Sequence, residues 1–210
     1  MKIKIIIISI FLCQLSLYAG NYYWYKGEKI NLIVDSTKIN VTTAVDVNLL
    51  ESLVRFESIK EIKQLERSEN NTSLFSVELI SKNQYNNIIE YLKSVEDVVC
   101  ISPYYGKDSN SIGTSSFFCV KLYKENDYEL LNNFASQNAL KIIKQVPYMP
   151  TWYILSNMDS KINSTQASNM VYESKLFADV DPLFMFNFGH NCTNDDIFYK
   201  KTYICIFNLI

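Results

Sequence analysis

Two stretches of the chain carry the same order of short periodic patterns, and this repetition limits the possible folds more than any single motif does. In the first stretch, residues 29–34 are β-prone, Asp35-Ser36 reads as a turn and residues 38–41 resume, which predicts a hairpin. Asp46 is placed to cap a helix with Val47, Leu50, Leu53 and Val54 on one face. Residues 59–65 and 74–80 read as strands on either side of a polar turn at Glu69-Asn70-Asn71-Thr72. Ser81 and Gln84 have capping-box spacing ahead of a helix with Tyr85, Ile88, Ile89 and Leu92 in one stripe. A short apolar strand over 98–101 is closed by Pro103.

The second stretch repeats the order. Residues 117–122 form a strand, and Asn126 and Glu129 open a helix with Tyr128, Leu131, Phe134 and Ala135 on one face. Strands at 141–146 and 152–155 flank the turn Pro147-Tyr148-Met149-Pro150. Asn163 and Gln166 open a helix that turns Ala167, Met170 and Val171 inward, and residues 178–186 are extended but broken by Pro182. Each stretch therefore reads β-α-β-β-α-β, the ferredoxin-like order, in which two helices cover one face of a four-stranded antiparallel sheet. The expected fold class is α+β, with one such module over residues 21–106 that includes an N-terminal hairpin, a linker at 107–114, and a second module at 115–188. Residues 189–210 are left as a junction and tail. Modules of this size are near the lower limit for a self-sufficient core, so a single irregular α+β domain with a continuous sheet is the alternative.

Composition removes several function classes. Hydrophobic residues make up 48% of the 210, enough for a buried core. Twenty basic residues face 22 acidic ones, a net charge of −2, which lacks the basic surplus a nucleic-acid binder needs. The RNP pattern of RNA-binding ferredoxin-like domains is also missing. The single histidine, His190, cannot build a His-based metal cluster, and any Ser-His or Cys-His chemistry would have to run through it. None of the five glycines lies in a phosphate-cradling motif, and the five cysteines have no CxxC spacing. Asp195-Asp196 would point to opposite faces of a strand, and Asp179 and Asp181 share a face but lack a metal-loop pattern. No catalytic residue, metal or cofactor is expected.

The N-terminus reads as a secretory signal over residues 1–20. Lys2 and Lys4 precede an apolar run at 5–12, and Ala19-Gly20 supplies small residues for cleavage. The run is too short to span a membrane, so the mature chain is expected to begin near Asn21 in the periplasm, at the cell envelope or outside the cell. Cys100 and Cys119 sit in apolar strand patterns and are expected as small buried hydrophobes. Whether Cys192 and Cys205 pair is left open. The Asn-x-Ser/Thr triplets at Asn40, Asn71, Asn163 and Asn191 are attributed to the asparagine-rich composition.

Four segments in sequence order resemble a known family. The run Tyr22-Tyr23-Trp24-Tyr25-Lys26-Gly27-Glu28-Lys29-Ile30-Asn31-Leu32 is similar to an aromatic run followed by K-G-E-K-I-P-L. Residues 147–155 are similar to P-x-M-P-x-W-Y-x-L, residues 173–182 to E-S-G-L-F-x-x-x-x-P, and residues 192–198 to an N-D-P-x-F junction. Together, over residues 22–198, they resemble the N-terminal prodomain of secreted subtilisin-like serine peptidases of Bacteroides type. In that family the junction continues into Q-W-G-L and a catalytic domain. Here Asp196 stands at the junction proline and residues 199–210 follow instead, so a truncated or frameshifted relative without its enzyme is expected. Gly113-Thr114-Ser115 matches the family's nucleophile triplet but lacks the residues that should follow, and it is read as chance.

The resemblance implies an intramolecular chaperone and inhibitor whose partner is a subtilisin-like catalytic domain. Its C-terminal extended segment would lie in the protease cleft as an added strand. Here that segment is Asp181, Pro182, Leu183, Phe184, Met185, Phe186, Asn187 and Phe188, and the residues alone, without the resemblance, favour an ordinary edge strand with a hydrophobic face. The alternative function is a stand-alone secreted module that binds a peptide, glycan or envelope protein, with Tyr22–Tyr25 and Tyr104-Tyr105 as contact candidates.

Overall fold

The computed structural model describes residues 21–44, 53, 55–68, 72–106 and 111–185. The elements run β1 (Tyr22–Tyr25), β2 (Glu28–Asn31), β3 (Val34–Ala44), β4 (Ile59–Ser68), β5 (Thr72–Leu79), α1 (Tyr85–Lys93) and β6 (Val98–Tyr105). They continue with β7 (Ile112–Lys121), α2 (Tyr128–Gln137), β8 (Leu140–Gln145), β9 (Trp152–Asn157), α3 (Ser164–Glu173) and β10 (Asp179–Met185). The fold is α+β, built from two ferredoxin-like halves.

The first half has the strand order β4-β5-β3-β6, and the second has the same order, β8-β9-β7-β10, with every pairing antiparallel. The halves are fused into a single sheet. Gly113 and Ile112 at the start of β7 pair with Tyr104 and Tyr105 at the end of β6. The continuous sheet and the two-module order therefore hold together. β7 is long enough to close the first sheet with its first residues and to centre the second with the rest.

Period-two alternation sends one side of each strand to a helical core. In the first half, Ile39 and Val41 of β3, Val77 and Leu79 of β5, and Ile101 of β6 pack with Ile88 and Leu92 of α1. Leu53 joins this core at 1% exposure, while the rest of its expected helix and the cap Asp46 lie outside the described residues. In the second half, Phe118, Val120, Leu155 and Val180 meet Leu131 and Ala135 of α2 and Ala167 and Val171 of α3. Each of these Val, Leu, Ile and Phe side chains contributes roughly 1.5–3 kcal/mol by leaving water.

Several local expectations shift. The hairpin is β1–β2, closed by Lys26-Gly27 with φ of +49° and +85°, as a two-residue primed turn requires. Asp35-Ser36 does not turn the chain. Asp35 Oδ1 accepts from the backbone N–H and the hydroxyl of Thr37, and β3 absorbs this local motif as a register shift between Asp35 and Ile39. Neither proline stops its strand. Pro103 lies opposite Ile39 of β3 and Pro182 opposite Phe118 of β7, each with a partner recorded on one side only, where a missing N–H costs little. Ser81 accepts from Asn83 N–H at the head of a short 3-10 turn, while Gln84 accepts from Asn87 instead of closing a box. Asn163 and Gln166 open α3 as expected, and they do so through a capping box: Asn163 Oδ1 accepts from Gln166 N–H and Gln166 Oε1 from Asn163 N–H, both at 2.9 Å.

Candidate functional site

The expected cleft segment begins inside the sheet. Asp181, Pro182, Leu183, Phe184 and Met185 belong to β10, which pairs with β7 from Asp179 opposite Lys121 to Met185 opposite Gly113. Pro182 and Leu183 are buried, and Phe184 and Met185 are half-buried. Phe186, Asn187 and Phe188 lie outside the described residues, as do His190, Cys192, Asp195, Asp196 and Cys205. Among the described strands, β10 is the edge next to β7, so one row of its backbone groups is unpaired. Asp181 keeps an exposed surface, but protein packed around it and the Asp179 charge push its carboxyl above the usual carboxylate range.

The N-terminal hairpin packs beside β10, on the second half of the molecule, although it leads directly into the first. Tyr22 and Trp24 alternate onto one side of β1, and both donate to Glu173 Oε1 at the end of α3, at 2.7 and 2.9 Å. Trp24 stacks on Tyr172 with ring centroids 5.2 Å apart, Asn169 Nδ2 donates to the Tyr22 carbonyl at 2.7 Å, and Tyr23 meets the Phe184 ring edge-on at 5.1 Å. The Lys175 ammonium lies 4.2 Å from the Tyr172 ring centre. Lys175 itself has φ of +59°, just past the end of α3. This is the position at which the resembled motif E-S-G-L-F carries glycine, and a left-handed residue there is the usual way to end a helix.

Where β6, β7 and β9 converge, the seam between the halves is polar and buried. Asn40 Nδ2 donates to the Thr114 carbonyl at 2.8 Å, Ser102 Oγ to the Ser115 carbonyl at 3.2 Å, and Asn157 Nδ2 to the Ile162 carbonyl at 2.8 Å. Tyr104 and Tyr105 belong to this interior at 3% exposure each, which overturns their expectation as surface contacts. Tyr105 Oη lies 2.7 Å from Thr165 Oγ1. Gly113, Thr114 and Ser115 are strand residues of β7, and Ser115 Oγ accepts from Phe117 N–H, so the triplet forms no nucleophile loop. Asn40 and Asn163 are both engaged in internal hydrogen bonds.

Cys100 and Cys119 are buried free thiols, as expected. Burial raises both: Cys100 in spite of hydrogen bonds to Ser102 and Asn157 that act to lower it, and Cys119 up to about 12 with a further push from the Asp181 charge. Neither is a thiolate at neutral pH. A cleft of about 230 Å³ between the halves is lined by Tyr85, Ile89, Lys93, Pro103, Lys161 and Gln166. Among the described residues, no group of three or more His, Cys, Asp or Glu side chains could hold a metal, and no helix is long and apolar enough to cross a membrane.

The hairpin clamp was not read from the sequence, although the alternation of Tyr22 and Trp24 was a signal for it. A second apolar face was also missed. Residues 117–120 form an unbroken apolar run, the pattern of a strand buried on both sides, and the structure buries Phe117 and Cys119 on the face opposite Phe118 and Val120.

No family model matches the chain, and no curated protein matches it. Among solved structures it is similar to the acetolactate synthase small subunit from Thermotoga maritima. The identity is 12% and the TM-score 0.33, over 73% of this chain and 98% of that one.

Proposed function

We propose that this chain is a prodomain-type chaperone and inhibitor of a secreted subtilisin-like serine endopeptidase, with no catalysis of its own. The observation that carries the reading is the position of β10. Among the described strands it is an edge, and its described part reaches Met185, directly before residues 186–188, in the second of two ferredoxin-like halves. Addition of 186–188 to a protease cleft would extend an existing strand, with backbone hydrogen bonds providing affinity and alternate side chains filling pockets. Two of the resembled motifs coincide with left-handed backbone, Lys26-Gly27 in the hairpin turn and Lys175 after α3, which supports the resemblance at positions where side chains are sterically restricted. Residues 1–20 would direct export, and the protease would be met in trans.

The test is titration of the purified chain against a subtilisin-like protease from the same cell. Inhibition at micromolar concentration that weakens when Phe186 and Phe188 are replaced by aspartate supports the reading. Full protease activity at that concentration overturns it.

A second reading, a secreted binding module, rests on a different end of the molecule. Tyr148 is fully exposed with φ of +61° at the tip of the β8–β9 turn, beside the exposed Met149. Binding of an envelope protein or glycan that Tyr148→Ala abolishes, without protease inhibition by the parent chain, would favour this reading.

A further inference from the structure

The second half of the sheet has two buried faces, and among the described residues only one of them has helices on it. The face away from α2 and α3 carries Phe117 and Cys119 of β7, Ile154 of β9 and Leu183 of β10, with Val146 just after β8. Ile143 and Trp152 pack at the rim. Every member of this cluster comes from the sheet or from the turn after β8, and none from a described helix or from the first half. Yet Ile154 is 0% exposed, Leu183 2% and Cys119 5%. A sheet face becomes this dry only beneath a second layer of chain.

We propose that residues 186–210 of the same chain supply that layer. The described part of β10 reaches Met185, two residues beyond Leu183, so residue 186 follows directly beside the cluster. Its first eleven residues, 186–196, are mostly polar after Phe188 and can reach roughly 35 Å when extended, ample for a reversal. Residues 197–210 then carry Ile197, Phe198, Tyr203, Ile204, Ile206 and Phe207, a β-prone apolar run. Four strands at about 4.8 Å spacing are about 15 Å across, and an extended stretch of six residues, about 20 Å long, covers them. The cover keeps an apolar face away from solvent, and any partner that docks on this face must first displace it.

Cys119 reports the cover and Cys100, fully buried in the seam between the halves, is the internal control. Maleimide labelling of the full chain, mapped by mass spectrometry, gives the ratio of the two rates. In the full-length Ile204→Asp/Ile206→Asp variant, and in a chain ending at Met185, this ratio rises at least tenfold. A ratio unchanged in both variants overturns the proposal, including through joint exposure of the two thiols. Exposure of Cys119 on removal of residues 1–20 instead also overturns it, since the leader would then be the cover. Cys119 protection in the full chain that disappears on dilution does the same, in favour of a second copy.

Discussion

The Tyr22 hydroxyl donates to Glu173 Oε1 at 2.7 Å, across 151 residues of sequence, and so ties the first described strand to the last described helix. The contact has two titrating ends. Burial acts to raise the Glu173 carboxyl, but the Tyr22 and Trp24 hydrogen bonds and the Lys29 and Lys175 charges outweigh it and hold the group below its ordinary 4.5. Tyr22 is pushed up to about 12, first by the Glu173 bond, then by burial and the Glu173 charge.

The signs of these shifts predict a docking window. A depressed carboxylate contributes fully above its unfolded pKa, and the contribution is lost as pH falls through the folded value. A raised phenol contributes fully below its ordinary 10.0, and the contribution is lost as pH rises toward about 12. The hairpin should therefore stay docked at neutral pH and detach at both extremes. In a Trp152→Phe chain, Trp24 emission should change on both limbs before far-UV circular dichroism does. Glu173→Gln should abolish the acid limb and shift the alkaline limb down toward pH 10. Because the pair is exposed and screened, the docking loss in Glu173→Ala should be about 1 kcal/mol.

Tyr105 and Thr165 couple the halves through a hydrogen-bond relay. Thr165 Oγ1 donates to Asn163 Oδ1, so the Tyr105 hydroxyl is the donor in its 2.7 Å contact with Thr165. Asn163 is also the cap of α3. Tyr105→Phe should cost about 1–2 kcal/mol in urea unfolding, since a buried acceptor loses its donor. Amide exchange should quicken in the first turn of α3 more than in α2. Equal acceleration in both helices would mean that the relay does not support the cap.

Within the described residues, the strand-helix order of both halves was legible because it rests on periodicity, which each strand and helix carries within itself. The start of α3 at Asn163 and Gln166 was legible because a cap and its partner lie three residues apart in the sequence. The fusion of the sheets was not, because it depends on Ile112 and Gly113 finding Tyr104 and Tyr105 after a connection that reads as linker. The burial of Tyr104 and Tyr105 was missed along with it, since the seam that covers them is made by residues distant in sequence. Asp35-Ser36 misled because the same side-chain hydrogen bonding that opens a turn can also be absorbed as a bulge inside a strand. Of the cleft segment, the extended character of 181–185 was legible. Its commitment to β7 depended on a register that the sequence does not state.

Gly113 sits where the seam leaves no room for a side chain. A Cβ there would lie 2.6 Å from Asn40 Nδ2 and 3.0 Å from two atoms of the Tyr104 ring. Gly113→Ala should displace the Asn40 amide from the Thr114 carbonyl and destabilise by about 1–3 kcal/mol. In an Asn40→Ala background the nearest obstacle is gone, so the same substitution should cost less. A double-mutant cycle in urea checks this, with an expected coupling above about 0.5 kcal/mol; additive costs would place the strain at the Tyr104 ring alone.

Ala139 has φ of +51° immediately after the Asn138 cap of α2, and its side chain is exposed. A left-handed alanine carries a steric cost of roughly 1–2 kcal/mol that glycine avoids. Glycine gives back roughly 0.5–1 kcal/mol through its freer unfolded chain. Ala139→Gly should therefore stabilise by about 0.5 kcal/mol in urea. Ala139→Val, whose branched Cβ crowds the left-handed conformation further, should destabilise by more than about 1 kcal/mol. Since an exposed side chain contributes little packing, the opposite signs isolate the backbone effect. A stabilising valine would show that the helix end relaxes out of the left-handed region in solution.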